Sequence, residues 1–207
     1  MPEIRSALAA AYQPGRYPAD AEPGVHLREL TGWDLVQVAA WRGRFEALCT
    51  ATGQALGTAP PSAPNRCARA DDVEILTTSP GRLWCLAPAG DERLVALETA
   101  IDEDTGCVTH IGHSHARVRL AGPAVRRLLA QELALDLSAE VFGADMIART
   151  SLHHVSVVLQ CIDADPATPT FDLYLPRTFA GSTWEYLLDL TTPHGYEILE
   201  RTVPASS

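Results

Sequence analysis

The chain has 207 residues, of which 46% are hydrophobic and 20% charged, so it can bury about 70% of its unfolded surface without disulfide or metal staples. The formal net charge is −10 and all sixteen basic residues are Arg. A chain without Lys cannot run Schiff-base chemistry or build a Walker-type phosphate loop, and its acidity opposes binding to nucleic acid and to anionic membranes.

Residues 1–24 carry Pro2, Pro14, Pro18 and Pro23, with Tyr12 and Tyr17 between them. At most Ile4–Ala11 can form a helical turn or two. The remainder reads as an extended arm whose Tyr12 and Tyr17 are candidate interface anchors, disordered in a free chain and ordered on a partner.

From residue 25 the chain divides into two α+β units, expected at 25–102 and 103–207 and packed as one body. Val36-Gln37-Val38-Ala39-Ala40 alternates as a half-buried strand does, then passes through Gly43 into a helix with Phe45, Leu48 and Cys49 on one face, stopping near Gly53. Residues 57–70 are Pro-rich and read as a surface loop. Val73–Thr77 and Arg82–Leu86 form a hairpin around Ser79-Pro80-Gly81. Asp91 is placed to cap a following helix with Leu94, Leu97 and Ile101 inward.

The second half repeats this order. Val118-Arg119-Leu120 alternates and leads through Gly122 into a helix with Val125, Leu128, Leu129 and Leu133 inward, with Pro123 suited to its first position. Ile147–Leu152 and Val155–Cys161 form a hairpin through His153-His154. Phe171–Leu175 is a strand, followed by a helix from about Thr178 with Ala180, Trp184, Leu187 and Leu188 inward. Antiparallel strands covered by helices in two pseudo-repeated units give an α+β fold.

Five Cys, at 49, 67, 85, 107 and 161, form no CxxC pair and read as small buried hydrophobes. No apolar run is long enough to span a bilayer, and Met1-Pro2-Glu3 has an acid where a secretory leader is basic, so the expected compartment is the cytoplasm. His110, His113 and His115 cluster in sequence, with 113 and 115 on one face if the segment is a strand, but no further ligand at metal spacing completes a tetrahedral set. Ser114 lies beside two His without a nucleophile-elbow motif, and there is no GxGxxG. Residue chemistry alone therefore describes an acidic α+β protein suited to binding or assembly, with no catalytic, cofactor-binding or metal-binding residue assigned.

Three blocks carry a family resemblance. They are Val25-His26-Leu27-Arg28-Glu29-Leu30 with Val36-Gln37-Val38 and Arg42-Gly43; His113-Ser114-His115-Ala116-Arg117-Val118-Arg119-Leu120-Ala121-Gly122-Pro123-Ala124 with Leu128-Leu129-Ala130 and Leu135-Asp136-Leu137; and Phe171-Asp172-Leu173-Tyr174-Leu175-Pro176-Arg177-Thr178-Phe179-Ala180 with Trp184 and Leu187-Leu188. In this order the chain resembles the gamma subunit of heterotetrameric sarcosine oxidase. The resemblance implies a fold like the folate-binding domain of aminomethyltransferase. It implies a non-catalytic subunit, assembled with alpha, beta and delta subunits, in a complex that oxidises sarcosine or a related N-methyl or secondary amine. FAD, FMN, NAD, tetrahydrofolate and zinc would then belong to the partner subunits. Arg177, between strand and helix in the third block, is expected to be structural or interfacial. The alternative is a stand-alone folate-binding protein of the aminomethyltransferase type, for which the chain is short.

Overall fold

The computed structural model describes residues 6–202, which form two compact units. One is contiguous, residues 32–113; the other is split, residues 6–31 and 114–202.

The contiguous unit contains β3 (Trp33–Ala40), α1 (Phe45–Leu56), β4 (Cys67–Ala70), β5 (Val73–Ser79), β6 (Arg82–Pro88), α2 (Glu92–Ala100) and β7 (Gly106–His110). Its five strands run antiparallel in the order β4-β5-β6-β3-β7. Val36, Val38, Val73, Ile75, Leu83 and Cys85 share one face of that sheet. They are covered by Leu48 and Leu56 of α1 and by Leu94, Leu97 and Ile101 beside them.

The split unit contains β1 (Gly15–Tyr17), β2 (Val25–Leu30), β8 (His115–Ala121), α3 (Val125–Glu132), β9 (Ile147–Leu152), β10 (Val155–Asp163), β11 (Thr170–Pro176), α4 (Ala180–Thr191) and β12 (Tyr196–Ile198). Its seven strands are ordered β1-β12-β2-β8-β11-β10-β9, antiparallel except for β12 beside β2. Leu27, Val118, Leu120, Phe171, Leu173, Leu159 and Leu152 form the sheet's apolar face. α3 covers it with Val125, Leu128 and Leu129, and α4 with Trp184 and Leu187.

The sequence repeat is present as topology: β3-α1-β4-β5-β6-α2 and β8-α3-β9-β10-β11-α4 follow the same order, and β4-β5-β6-β3 and β9-β10-β11-β8 are laid out alike in their sheets. The unit boundaries nevertheless differ from the expected 25–102 and 103–207. The strand ahead of each repeat is exchanged: β2 pairs with β8, with Leu27 opposite Leu120, and β7 pairs with β3, with Val108 opposite Val38. Strand pairing, rather than sequence proximity, decides which core a segment joins.

Three smaller corrections have local causes. α1 runs through Gly53 and ends at Gly57, whose φ of 70° gives the left-handed cap that a Cβ disfavours. Gly53 has a different use, because a Cβ there would stand 3.4 Å from Thr58 O and Pro60 Cδ of the returning loop. α3 begins at Val125 with Ala124 as its cap, so Pro123 precedes the helix. The Pro-rich stretch 57–70 also ends in a strand, β4, because Cys67–Ala70 pairs with β5.

The arm is corrected most. Ser6 to Tyr12 make a turn closed by Tyr12 N–H donating to Leu8 O at 2.9 Å, and Leu8 and Tyr12 are buried. β1, lying between Pro14 and Pro18, pairs with β12. The residues that precede residue 6 lie outside the described residues, including the start of the expected Ile4–Ala11 turn.

Candidate functional site

The second face of the seven-stranded sheet is polar, which follows from strand parity. In β8, Val118 and Leu120 point to the apolar core, so Arg117 and Arg119 point the other way. In β11, Phe171, Leu173 and Leu175 point to the core, so Asp172 and Tyr174 share the side of the two Arg. The register Asp172 opposite Arg119 and Tyr174 opposite Arg117 brings the charges together.

Asp172 is fully buried and takes both guanidinium groups. Arg117 donates from Nε at 2.8 Å and approaches with its second nitrogen at 2.7 Å; Arg119 donates from Nε at 2.7 Å and from Nη2 at 2.9 Å. The Arg117 guanidinium carbon lies 5.2 Å from the Tyr174 ring centroid, and Tyr174 Oη donates to Gln160 Oε1 of β10 at 2.7 Å. The layer thus ties β8, β11 and β10 together. Its carboxylate oxygens are occupied by N–H donors, an arrangement that clamps strands rather than one that moves protons.

At the end of β8, Ser114 Oγ lies 2.6 Å from His115 Nδ1. Burial, helped by the Arg149 charge, brings the His115 pKa down to about 4, so the ring is neutral near pH 7 and its Nδ1 can accept the Ser114 hydroxyl proton. The two residues adjoin in sequence where a strand begins, and no strand-to-helix elbow presents the hydroxyl. The pair reads as a capped strand end, not a nucleophile with its base.

The other His are dispersed. His110, on β7, has Nε2 2.7 Å from Glu98 Oε1 in an exposed pair, and His113 lies in the turn before β8, not on a strand face shared with His115. His153 stacks on Tyr186 at 4.2 Å, and Arg127 Nη2 is 3.1 Å from His194 Nδ1. Among the described residues no three His, Cys, Asp or Glu stand where they could hold one metal ion. The sequence has no GxGxxG, and the residues described fit neither a zinc site nor a dinucleotide-type flavin site. A depression of about 420 Å³ beside α1, lined by Cys49, Gln54 and Thr58, offers no charged group, and burial pushes the Cys49 thiol pKa up, away from nucleophile chemistry. Among the described residues no helix is long and apolar enough to cross a membrane.

Of the three expected interface residues, Tyr12 is taken up within its own unit. Its ring stacks on Trp184 at 5.2 Å, its hydroxyl donates to Leu199 O at 2.7 Å, and it accepts from Glu29 N–H at 2.9 Å. Beside it the buried Glu29 carboxylate accepts from Arg201 Nε at 2.6 Å and from the Ser6 hydroxyl, while the Arg201 guanidinium lies 4.4 Å from the Tyr12 ring centroid. Tyr17 is half-buried and stacks on Tyr196 at 5.1 Å. Arg177 is exposed, with its backbone N–H donating to Ser114 O at 2.8 Å, and the exposed Phe179 lies two residues on in the same 3₁₀ turn, Arg177–Phe179.

No family model matches the chain. It is 28% identical over 137 residues to sarcosine oxidase subunit gamma of Corynebacterium sp. (strain P-1), an alignment covering 65% of this chain and 66% of that one, just under two thirds. The chain resembles a sarcosine oxidase gamma subunit. A chain in the heterotetrameric sarcosine oxidase of Corynebacterium sp. U-96, solved with pyrrole 2-carboxylate, superposes with a TM-score of 0.78 at 22% identity, over 92% of this chain and 96% of that chain. The glycine cleavage system aminomethyltransferase T of Bartonella henselae superposes with a TM-score of 0.58 at 16% identity, over 86% of this chain and 48% of that chain. The α+β fold of this gamma-like chain is therefore that of the sarcosine oxidase chain and, more distantly, of the aminomethyltransferase.

Proposed function

We propose that this chain is a gamma-type subunit of a heterotetrameric, flavin-dependent oxidase or dehydrogenase acting on sarcosine or a related N-methyl or secondary amine, and that it supports assembly without catalytic residues of its own. The 137-residue likeness to a curated gamma subunit carries the reading. The Asp172 layer of its second sheet face agrees with it, because that carboxylate is taken up by Arg117 and Arg119 in a strand clamp. In this reading FAD, FMN, NAD, tetrahydrofolate and zinc reside in the alpha, beta and delta partners, and the complex works in the cytoplasm.

Arg177 and Tyr17 remain this chain's proposed contact residues. Arg177 is exposed on a backbone anchored to Ser114, with the exposed Phe179 in the same 3₁₀ turn, and exposed Arg and aromatic residues suit a protein interface. Co-expression with the flavin-bearing subunits tests the reading. The purified complex should oxidise sarcosine or a related amine, and the chain alone should show neither flavin absorbance nor oxidation. A flavin spectrum in the purified single chain would refute it. The aminomethyltransferase-like fold supports the second reading, stand-alone folate binding, which saturable tetrahydrofolate binding by the isolated chain would favour.

A further inference from the structure

The two ends of the seven-stranded sheet are built differently. At one end stands β1, three residues long and bracketed by Pro14 and Pro18, which have no N–H to offer a neighbour. At the other stands β9, six residues long, with no Pro between Ala144 and Asp165.

The hairpin that makes β9 fixes which backbone groups face outward. His153 and His154 form a two-residue turn with φ of 45° and 68°, the signature of a turn in which the flanking pair exchanges both hydrogen bonds. Leu152, Thr150 and Ala148 therefore direct N–H and C=O at β10, while Ser151, Arg149 and Ile147 direct theirs away. The bonds beyond the strand keep this phase: Cys161 N–H donates to Met146 O at 2.8 Å and Asp145 N–H to Cys161 O at 3.0 Å. Among the described residues, nothing hydrogen-bonds the outward groups of Arg149 or Ser151, and both side chains are exposed.

We propose that the outer edge of β9 is a docking edge for an extended strand of a companion subunit, which carries a carboxylate side chain across from Arg149. This rests on the subunit reading above. Main-chain bonds to the outward N–H and C=O of Arg149 and Ser151 supply the pairing, and the Arg149 charge selects the acidic partner residue. A second copy of this chain is the wrong occupant. Each copy carries −10, and a β9–β9 pairing that uses both exposed residues sets the two Arg149 side chains opposite or diagonal to each other on one face.

Ser151→Pro tests the inference in the full chain, assembled with its companion subunits. It removes one outward N–H and no bond to β10, so the free variant should melt like the wild type, while its assembly weakens about tenfold. Arg149→Glu, which changes an exposed side chain, should weaken assembly in the same direction without touching the backbone. Hydrogen exchange at the amides of 149 and 151 should slow on assembly of the wild-type chain. A folded Ser151→Pro chain that assembles with wild-type affinity, or unchanged exchange at those two amides, would overturn the docking edge and leave the subunit reading intact. A wild-type chain that assembles with no flavin-bearing subunit would overturn both.

Discussion

Replacing Asp172 with Asn keeps the shape of the side chain and removes the charge that two Arg share. Arg117 is only 6% exposed, so water cannot take over the role of the carboxylate, and the new amide N–H₂ would face N–H donors on one side. Breaking a buried pair in this way costs about 3–5 kcal/mol. The Arg119 share of that is small, below about 1 kcal/mol, because its side chain is 35% exposed. At about 2–4 °C per kcal/mol for a chain of this size, Asp172→Asn should melt about 6–20 °C below the wild type by circular dichroism. The companion measurement is the double variant Arg117→Met/Asp172→Leu, which fills the space without charge and should recover most of the loss. A single variant within about 2 °C of the wild type would refute the clamp, and a double variant no better than the single would refute the charge-burial argument behind it.

Deleting residues 1–24 should lower the melting temperature of the free chain by several degrees, since Leu8 and Tyr12 leave the core; an unchanged melt would return the arm to a partner-binding role. Tyr12→Phe alone should cost about 1–3 kcal/mol in a urea titration, because it strands the Glu29 N–H and the Leu199 carbonyl. Because the folded-state pKa of His115 lies near 4, below its ordinary 6.5, the unfolded chain binds the extra proton between those values. Stability from this group is complete above about pH 6.5 and falls as pH drops toward 4, and His115→Gln should flatten that part of the profile. Burial, reinforced by Cys49, pushes the Cys85 thiol up to about 12, so in the native chain near pH 8 it should resist a disulfide reagent until the protein unfolds.

What the sequence makes legible is what periodicity and local chemistry control. Alternation in Val36–Ala40 and Phe171–Leu175 marks β3 and β11, Asp91 caps α2 by accepting from Arg93 N–H at 2.8 Å, and the His153-His154 pair marks a tight turn. The polar layer was half visible. Arg117 and Arg119 share one parity and Asp172 and Tyr174 another strand's, yet nothing local says that β8 and β11 are neighbours or in which register. The same is true of the strand exchange, where β2 must choose between the adjacent β3 and a β8 some ninety residues away. β1 and β12 are three-residue strands, too short for a period to show. The arm misled because Pro spacing argues against a helix or long strand, but it does not prevent two apolar side chains, Leu8 and Tyr12, from entering a core prepared by Trp184.

The split of one unit around the other has a consequence for how the protein emerges from the ribosome. Residues 32–113 contain every strand of their own sheet, so that sheet can close while the rest of the chain is still being made. The seven-stranded sheet has no such freedom. β2 appears early and must keep its Val25 and Leu27 unpaired until β8 arrives, and then until β12, whose Ile198 pairs beside Leu27 and whose successor Leu199 donates its N–H to Leu27 O at 2.8 Å. Loop closure over so many residues is slow, and an early strand waiting for a late one is exposed to wrong partners meanwhile. Emergence of β12 is thus the event that completes the second sheet, and a nascent chain from which Tyr196–Ile198 has yet to emerge would carry one finished sheet and one open seam.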